Sequence, residues 1–342
     1  MPKPLDNITQ PLMKWFEANK RPLPWREDRE PYHVWISEIM LQQTRIEAVM
    51  RYYRRFMEAL PDIESLSKVD DDKLMKLWEG LGYYSRARNL KKAAQTITDE
   101  YNGIFPSRCS EIITLSGIGE YTAGAIASIC FDEKVTAVDG NVLRVISRIT
   151  GSRKNVLLPE TKKDIAKKLQ AILPDESGKF NEALMELGEL VCLPNGAPDC
   201  THCPLRENCT ACQKDLTAEI PVRVKQLKRK REDKTVFLIT DSEGRIAIEK
   251  RPDSGLLSGM YQLPNISGHY SIEELYSMLD EWNLSPADIR HHKDAKHVFT
   301  HIDWFMRAYR VTVAAPNSRF VWVTPEELNA AYSLPTAFKK LL

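Results

Sequence analysis

The sequence predicts two domains of different class: a mostly helical domain over residues 1–212 and an α+β domain over residues 235–342, joined by a basic linker at 213–234. Three observations predict this. Apolar residues recur with the period of an amphipathic helix in segments such as IEAVMRYYRRFMEAL and DKLMKLWEGL. Past residue 234 the pattern changes to short β-branched and aromatic runs, TVFLIT, RIAIEKR, HVFTHIDWFMRAYRV and FVWV, with SIEELYSMLDEW and PEELNAAY reading as helices among them. Five of the seven cysteines crowd into residues 192–212, at the end of the helical part.

Composition sets wider bounds. A chain of 342 residues with 43% hydrophobic content supports two ordinary cores. A formal net charge of +1 gives no global pull toward nucleic acid, so any such partner must meet a local basic surface. The start, Met-Pro-Lys-Pro-Leu-Asp, has no apolar signal core, and no apolar run approaches a membrane span. A soluble cytoplasmic protein is expected. An odd and clustered cysteine set argues for a metal centre in a reducing compartment over disulfides.

Along the chain, PYHVWISEIMLQQTR (31–45) opens the chemistry. Val34, Trp35, Ile39, Met40 and Ile46 fall at roughly helical spacing, which puts Glu38 on or near a helix with apolar neighbours. Pro61, Pro106 and Pro174 punctuate the helical part. From Leu115 to Arg144, LSGIGEYTAGAIASICFDEKVTAVDGNVLR starts with a hairpin at Gly117 and Gly119 and runs straight into a helical pattern. Two glycines let the backbone turn tightly and bring N–H groups against an anion, to which the helix adds its positive end. Asp139 follows among apolar and small residues. A phosphate-gripping hairpin and then an isolated carboxylate point to an enzyme that holds a nucleic-acid backbone and works beside it. Cys192, Cys200, Cys203 and Cys209 read as C-x7-C-x2-C-x5-C, and four thiolates on one loop suit a [4Fe–4S] cluster or structural zinc. Cys212 leaves a second choice, since Cys200-x2-Cys203 with Cys209-x2-Cys212 makes a zinc-type quartet without Cys192. The linker carries Arg223, Lys225, Lys228, Arg229, Lys230 and Arg231, a solvated run that could also touch phosphate.

LSGIGEYTAGA followed by AVDGNV resembles the helix–hairpin–helix superfamily of base-excision DNA glycosylases. SEIMLQQTR resembles it too, as does FNEALMELGELVC leading into the cysteines, although the first spacer is one residue longer than the superfamily's C-x6-C-x2-C-x5-C. Bifunctional members such as endonuclease III carry a nucleophilic lysine two places after the second hairpin glycine. Tyr121 stands there, and no lysine lies between Lys92 and Lys134, which narrows the resemblance to the MutY-type adenine glycosylases. That resemblance implies a six-helix module at about 27–133 and a second module from the N-terminal helix and 134–212, with a [4Fe–4S] cluster on Cys192, Cys200, Cys203 and Cys209. It makes Glu38 the general acid and base, Asp139 the carboxylate facing an oxocarbenium-like sugar, and Tyr121 and Asn141 supporting catalytic residues. Trp25, Arg26, Leu41, Ile46 and Glu182 would line an adenine pocket. Gln43 and Tyr83 would intercalate, Thr44 and Leu81 would border the opposite base, and Gly117 and Gly119 would grip the backbone. The spacer Leu-Pro-Asn-Gly-Ala-Pro-Asp lacks the Lys or Arg that family members place there to meet DNA.

The C-terminal part, including GLLSGMYQLPN, resembles the MutT-like (Nudix-fold) domain of the same family. A working Nudix hydrolase needs Arg-Glu-x-x-Glu-Glu to hold magnesium, and Glu273 with Glu274 does not make it, so this domain should bind and not hydrolyse. Phe299-Thr300-His301 matches the family's Phe-Ser-His loop with Thr for Ser, which implies 8-oxoguanine recognition. The expectation is a monofunctional, monomeric adenine DNA glycosylase acting on duplex DNA with 8-oxoguanine:adenine or guanine:adenine mispairs. Three alternatives stand against it: an endonuclease III-like glycosylase/lyase, a non-catalytic iron–sulfur DNA-binding protein and a nucleotide pyrophosphatase. Tyr121, the Glu38–Asp139 pair and the missing magnesium helix weigh against them in turn.

Overall fold

The computed structural model describes residues 4–224, 229–252 and 255–342. Lys225 and Lys228 of the basic run lie outside the described residues. The chain divides into two compact units, Met1–Lys68 with Asn89–Lys225, and Val69–Arg88 with Gln226–Leu342. Among the described residues no helix is long and apolar enough to cross a membrane.

The first unit is helical: α1 (Thr9–Asn19), α2 (Pro31–Leu41), α3 (Ile46–Ala59) and α4 (Ile63–Lys68) lead the chain. After α5 (Asp71–Trp78), which belongs to the other unit, come α6 (Ser85–Glu100), whose residues up to Arg88 also group with that unit, then α7 (Cys109–Ile112), α8 (Glu120–Phe131), α9 (Gly140–Thr150), α10 (Pro159–Gln170), α11 (Ser177–Leu190) and α12 (Thr210–Gln213). Pro31 starts α2 at a position where its missing N–H costs nothing. Every side chain of α2 from Val34 to Met40 is buried, and α8 is buried from Thr122 to Ile129, as helices apolar on all sides must be. α3 instead buries one stripe, Val49, Tyr53 and Phe56. α11 packs on α1, α8 and α9. One core joins Leu12 and Phe16 to Val142 and Ile146, and to Phe180 and Leu184.

The second unit holds a mixed sheet of β1 (Lys230–Thr240), β2 (Ile246–Lys250), β3 (Tyr261–Gln262), β4 (Asn265–Ser267), β5 (Pro286–Val298), β6 (Ile302–Val313) and β7 (Val321–Val323). Its path is β3-β2-β1-β6-β5, with β4 on β1 and β7 on β2. β1 and β6 run parallel from Lys230↔Ile302 to Thr240↔Thr312. Alternation along β1 sends Val236 and Leu238 to one face and Phe237 and Ile239 to the other. α14 (Pro325–Ala331) and α15 (Thr336–Lys339) supply Leu328 and Phe338 to the first face, and α13 (Ile272–Glu281) supplies Leu275 and Leu279 to the second.

Three features differ from the sequence reading. Residues 69–88, placed there in the helical domain, group with the C-terminal unit: α5 packs on α14, and Lys250 pairs with Asp72 at 2.9 Å. The basic linker is largely structured. Ile220 is buried in the helical core, Val156 N–H donates to Val222 O at 3.0 Å, and β1 begins at Lys230. HVFTHIDWFMRAYRV is two strands broken at Phe299–His301, where Phe299 N–H donates to Ile302 O at 2.8 Å. That turn lacks glycine and proline, so nothing in its composition announces it.

Candidate active site

α2 places Glu38 inside the helical unit with 8% of its surface exposed. The Tyr121 hydroxyl, one residue into α8, donates to Glu38 Oε2 at 2.6 Å and lies 3.2 Å from Met185 Sδ of α11. Burial pushes the Glu38 carboxyl up to about 7; the Tyr121 hydroxyl opposes that rise, and the charges of Asp139 and Glu182 add to it. Burial and the neighbouring carboxylates also push the Tyr121 phenol well above its ordinary range, so it remains a donor.

Asp139 is the N-cap of α9. Its Oδ1 accepts from Val142 N–H at 2.7 Å and its Oδ2 from Asn141 Nδ2 at 2.9 Å. Burial raises its pKa, and these donors, together with the Arg144 charge, hold the rise back. Glu38 has the phenol where Asp139 has an amide side chain and a helix end. Burial raises both carboxyls, and Asp139 has more donors opposing the rise than Glu38 has.

Arg26, in the short helical turn Pro24–Arg26, donates from Nε to Glu182 Oε1 at 2.9 Å and from Nη2 to Glu186 Oε2 at 3.0 Å. Trp25 beside it is buried edge-on to Tyr53, ring centroids 5.1 Å apart. Leu41 and Ile46 end α2 and start α3, both half-buried, and flank the loop that carries Gln43 and Thr44. Gln43 is exposed at φ 61°, and Tyr83, in the other unit, is 48% exposed at φ 46°. Both are non-glycine residues in left-handed backbone, a strain that accumulates at functional loops. Leu81 is buried within the second unit, its carbonyl accepting from Arg86 Nη2 at 3.0 Å, and does not present a surface there.

The hairpin stands between α7 and α8. Gly117 has φ 78°, and a Cβ there would lie 2.6 Å from Asn89 Cβ, so no other residue fits. Gly119 caps α8 and leaves the first N–H groups of that helix open to an anion. In the second unit Phe299 packs edge-on to Trp304 and His297, at 4.9 and 4.6 Å between centroids. Thr300 and His301 are exposed, and Thr300 Oγ1 lies 2.8 Å from Tyr83 Oη.

The cysteines of the helical unit converge. Cys192, Cys200, Cys203, Cys209 and Cys212 line one cavity, with Arg148 against it, Nη1 3.2 Å from Cys192 Sγ. All five thiols are free. Burial pushes Cys200 up to about 11 and Cys203 up to about 12, and raises Cys209. Without a cation these are neutral thiols; a bound metal centre is what would make them thiolates. Backbone N–H groups of Cys212 and Ala211 point at the Cys209 sulfur, and that of Leu205 at Cys203. Five cysteines around one cavity, amide donors to two of the sulfurs and a buried guanidinium suit an anionic thiolate cluster. Among the described residues, however, no three His, Cys, Asp or Glu side chains are already drawn together around a single ion position.

Two residues of this site escaped the sequence reading. Glu186 is 1% exposed and binds Arg21 through Nε at 2.8 Å and Nη2 at 2.9 Å, and Arg26 through Nη2. Burial alone would raise its pKa, but the two arginines hold it down at about 2. Its signal was the four-residue step from Glu182, which sets both on one face of α11. Arg144 donates to Asn141 Oδ1 at 2.7 Å, to Gly188 O at 2.9 Å and to Cys192 O at 2.7 Å. It orients the amide that serves Asp139, and a Cβ at Gly188 would close that approach, 2.6 Å from Asn141 Cβ.

Comparison with known proteins bears on these residues. Residues 36–175 match the HhH-GPD superfamily base excision DNA repair protein family, and residues 235–342 match the NUDIX domain. The chain is 34% identical to the adenine DNA glycosylase of Mus musculus over 96% of its own length and 76% of that protein's. It is 32% identical to the adenine DNA glycosylase of Buchnera aphidicola subsp. Baizongia pistaciae (strain Bp), over 97% of its length and 95% of that protein's. The chain belongs to the adenine DNA glycosylase family. A solved endonuclease III trapped covalently on DNA is also similar, with TM-score 0.51 and 26% identity over 60% of this chain and 93% of that one. Membership of the adenine DNA glycosylase family implies an iron–sulfur centre, for which the converging cysteines are suited.

Proposed function

We propose that this chain is a monofunctional DNA N-glycosylase that removes adenine mispaired with 8-oxoguanine or guanine in duplex DNA, working as a monomer. The observation that carries the proposal is Glu38, a buried carboxyl held up to about 7 beside a carboxyl with more hydrogen-bond donors. Near neutral pH Glu38 keeps a proton to deliver to the departing base. As the bond from C1′ to the base breaks, its electron pair leaves with adenine and the sugar becomes oxocarbenium-like. Asp139, whose oxygens accept from Val142 N–H and the Asn141 amide, would face that positive charge as a carboxylate. Water then adds to C1′, and the deprotonated Glu38 takes its proton, which restores the acid.

The remaining residues support this assignment. Arg26 and Glu182 offer donors and acceptors beside Glu38 that suit the edge of a purine, and Trp25 supplies an apolar wall. Tyr121 has no amine with which to form a Schiff base, and its hydroxyl is engaged with Glu38. In the second unit Tyr83 and Thr300, joined through their hydroxyls, make the reader of the base opposite, next to Phe299, which packs on Trp304 and His297. Glu273 and Glu274 start α13, where Glu274 and Ser271 form a capping box, a structural use that fits binding without hydrolysis. Cys192, Cys200, Cys203 and Cys209 would hold a [4Fe–4S] cluster that would cross-link the segment 192–209, beside Arg148, which donates to Cys192 Sγ and Leu193 O.

Single-turnover base release from an adenine:8-oxoguanine duplex tests the proposal, with matched thymine:adenine and oxidised-pyrimidine duplexes alongside. Adenine release from the mispair, with strand breakage only after alkali, is the expected result. Direct nicking at oxidised pyrimidines without adenine release would replace the proposal with an endonuclease III-like lyase.

A further inference from the structure

α11 turns two glutamates, one helical turn apart, toward the segment that follows α1, and the two are used differently. Glu186, with 2% of its side chain exposed, has both oxygens filled. Oε1 accepts from Arg21 N–H at 3.0 Å and from Arg21 Nε at 2.8 Å. Oε2 accepts from Arg21 Nη2 at 2.9 Å and from Arg26 Nη2 at 3.0 Å. Arg26 Nη1 donates in turn to Arg21 O at 3.2 Å, which closes a ring of hydrogen bonds through Glu186, Arg21 and Arg26. The Arg26 guanidinium also lies over the Phe16 ring, 5.5 Å from its centroid. Glu182 is the open end of this chain of contacts. Its Oε1 accepts from Arg26 Nε at 2.9 Å, and among the described residues no donor reaches Oε2, on a side chain that is 12% exposed.

We propose that Glu186 is a positioning residue for base recognition, an inference that rests on the adenine glycosylase reading given above. It aims the Arg26 guanidinium, and through it the Glu182 carboxylate, at the 6-amino group of adenine. Glu186 itself meets no substrate, because four donors from Arg21 and Arg26 occupy its two oxygens. Glu182 Oε2 is the acceptor left over, and the 6-amino group carries the only N–H donors on adenine once N9 is bonded to the sugar. A guanidinium has a rigid planar fork, so fixing Nη2 on Glu186 and Nη1 on Arg21 O also fixes the direction of Nε, which holds Glu182. Arg21 has the complementary duty. Its two side-chain donors and its backbone N–H hold the Glu186 carboxylate in one orientation, so that Arg26 meets it at a set angle. Without Glu186 the Arg26 fork could turn, and Glu182 would lose the contact that presents Oε2 to the base.

The test compares single-turnover release of adenine and of purine, which lacks the 6-amino group, each placed opposite 8-oxoguanine. It uses the full chain as wild type, E186Q, R26Q and E186Q/R26Q. The ratio of the two rates within one protein, set against the wild-type ratio, cancels the intrinsic reactivity of the two nucleosides. The preference for adenine should fall in E186Q by on the order of tenfold, the worth of one hydrogen bond to a charged group. It should fall no further in the double variant than in R26Q, because Glu186 acts through Arg26. An E186Q that slows both substrates equally overturns the proposal, since loss of a merely structural tie between α11 and the segment 21–26 would do that. Additive losses of preference in the double variant overturn it too. Should E186Q not fold, E186D keeps the anion and shortens its reach by one methylene; it should lose preference in the same sense, and a folded E186D with wild-type preference refutes the proposal. A wild type that releases no adenine fails the glycosylase reading itself. Hydrogen exchange at Arg26 Nε–H, followed by nuclear magnetic resonance, then decides the positioning: protection lost in E186Q supports it, and equal protection in both proteins overturns it.

Discussion

The helical unit and the α+β unit both carry glutamates on helices, and the two sets do different work. In the helical unit Glu38 is buried in the middle of α2 with the Tyr121 hydroxyl against it, while Glu186 is buried on α11 between two guanidinium groups. In the α+β unit Glu274 and Glu327 are exposed and close capping boxes with Ser271 and Thr324, at 2.7 and 2.9 Å to the cap N–H. Residue type is shared. Burial and the charge of the hydrogen-bonding partners separate the three outcomes: a proton held near neutral pH, a permanent anion and a structural cap. The catalytic reading applies to the helical unit because, among the described residues, buried carboxyls are set against each other with unequal support there.

The sharpest way to break that comparison is to remove the acid. Glu38→Gln keeps the shape and removes the transferable proton, and base release should fall by roughly 10²–10⁴-fold in a single-turnover assay. A loss of less than tenfold would mean that Glu38 is only a buried carboxyl. The pH profile of the wild type adds a second reading. Release should decline as pH rises through about 7, where Glu38 loses its proton, and Glu38→Gln should lack that limb.

Stability should separate Glu38 from Glu186, and in opposite directions. Glu186→Gln leaves Arg21 and Arg26 facing a neutral amide in a largely buried site, and unfolding in urea should show a loss of about 3 kcal/mol. Because Glu186 is held down at about 2, its contribution is present above the ordinary carboxyl value of 4.5 and disappears as pH falls toward 2. Glu38 is raised, so the unfolded chain ionises first. Wild-type stability therefore falls between pH 4.5 and about 7, by at most on the order of 3 kcal/mol. Glu38→Gln should be more stable than wild type at pH 8 and no more stable at pH 4. Equal pH dependence of the two proteins would show that the Glu38 carboxyl is hydrated in solution.

The same contrast explains how far the sequence could be read. The placement of Glu38, Asp139, Tyr121 and Asn141, the proposed catalytic group, was legible because they lie in local strings, SEIMLQQTR and LSGIGEYTAGA with AVDGNV, whose spacing fixes each side chain on a helix or its cap. Glu186 and Arg144 were not, because their partners come from elsewhere in the chain, Arg21 and Arg26 for one and Cys192 for the other. Alternation placed the strands of the second unit, yet it could not show that β5 starts at Pro286, since many of that strand's side chains are exposed polar groups with no core stripe. Composition also misread residues 213–224 as a linker. Leu216 and Ile220 tie that stretch to the helical core, but the stretch is too short and too interrupted by Pro221 to show a helical or strand period.

The smallest expected effect is in the second unit, where Thr300 and Tyr83 meet through their hydroxyls at 2.8 Å. Thr300→Ala removes one partner of an exposed neutral hydrogen bond and should reduce discrimination of 8-oxoguanine from guanine opposite adenine by about 1 kcal/mol, roughly fivefold. Thr300→Ser keeps the hydroxyl and should leave discrimination unchanged. Tyr83→Phe should lower it as Thr300→Ala does, because either substitution breaks the same bond. The double variant then decides between two ways of reading a lesion. If the hydroxyls act as one unit, Thr300→Ala with Tyr83→Phe is no worse than either single change. Additive losses would mean that Thr300 and Tyr83 contact the DNA separately, and their hydrogen bond in the free protein would be incidental to recognition.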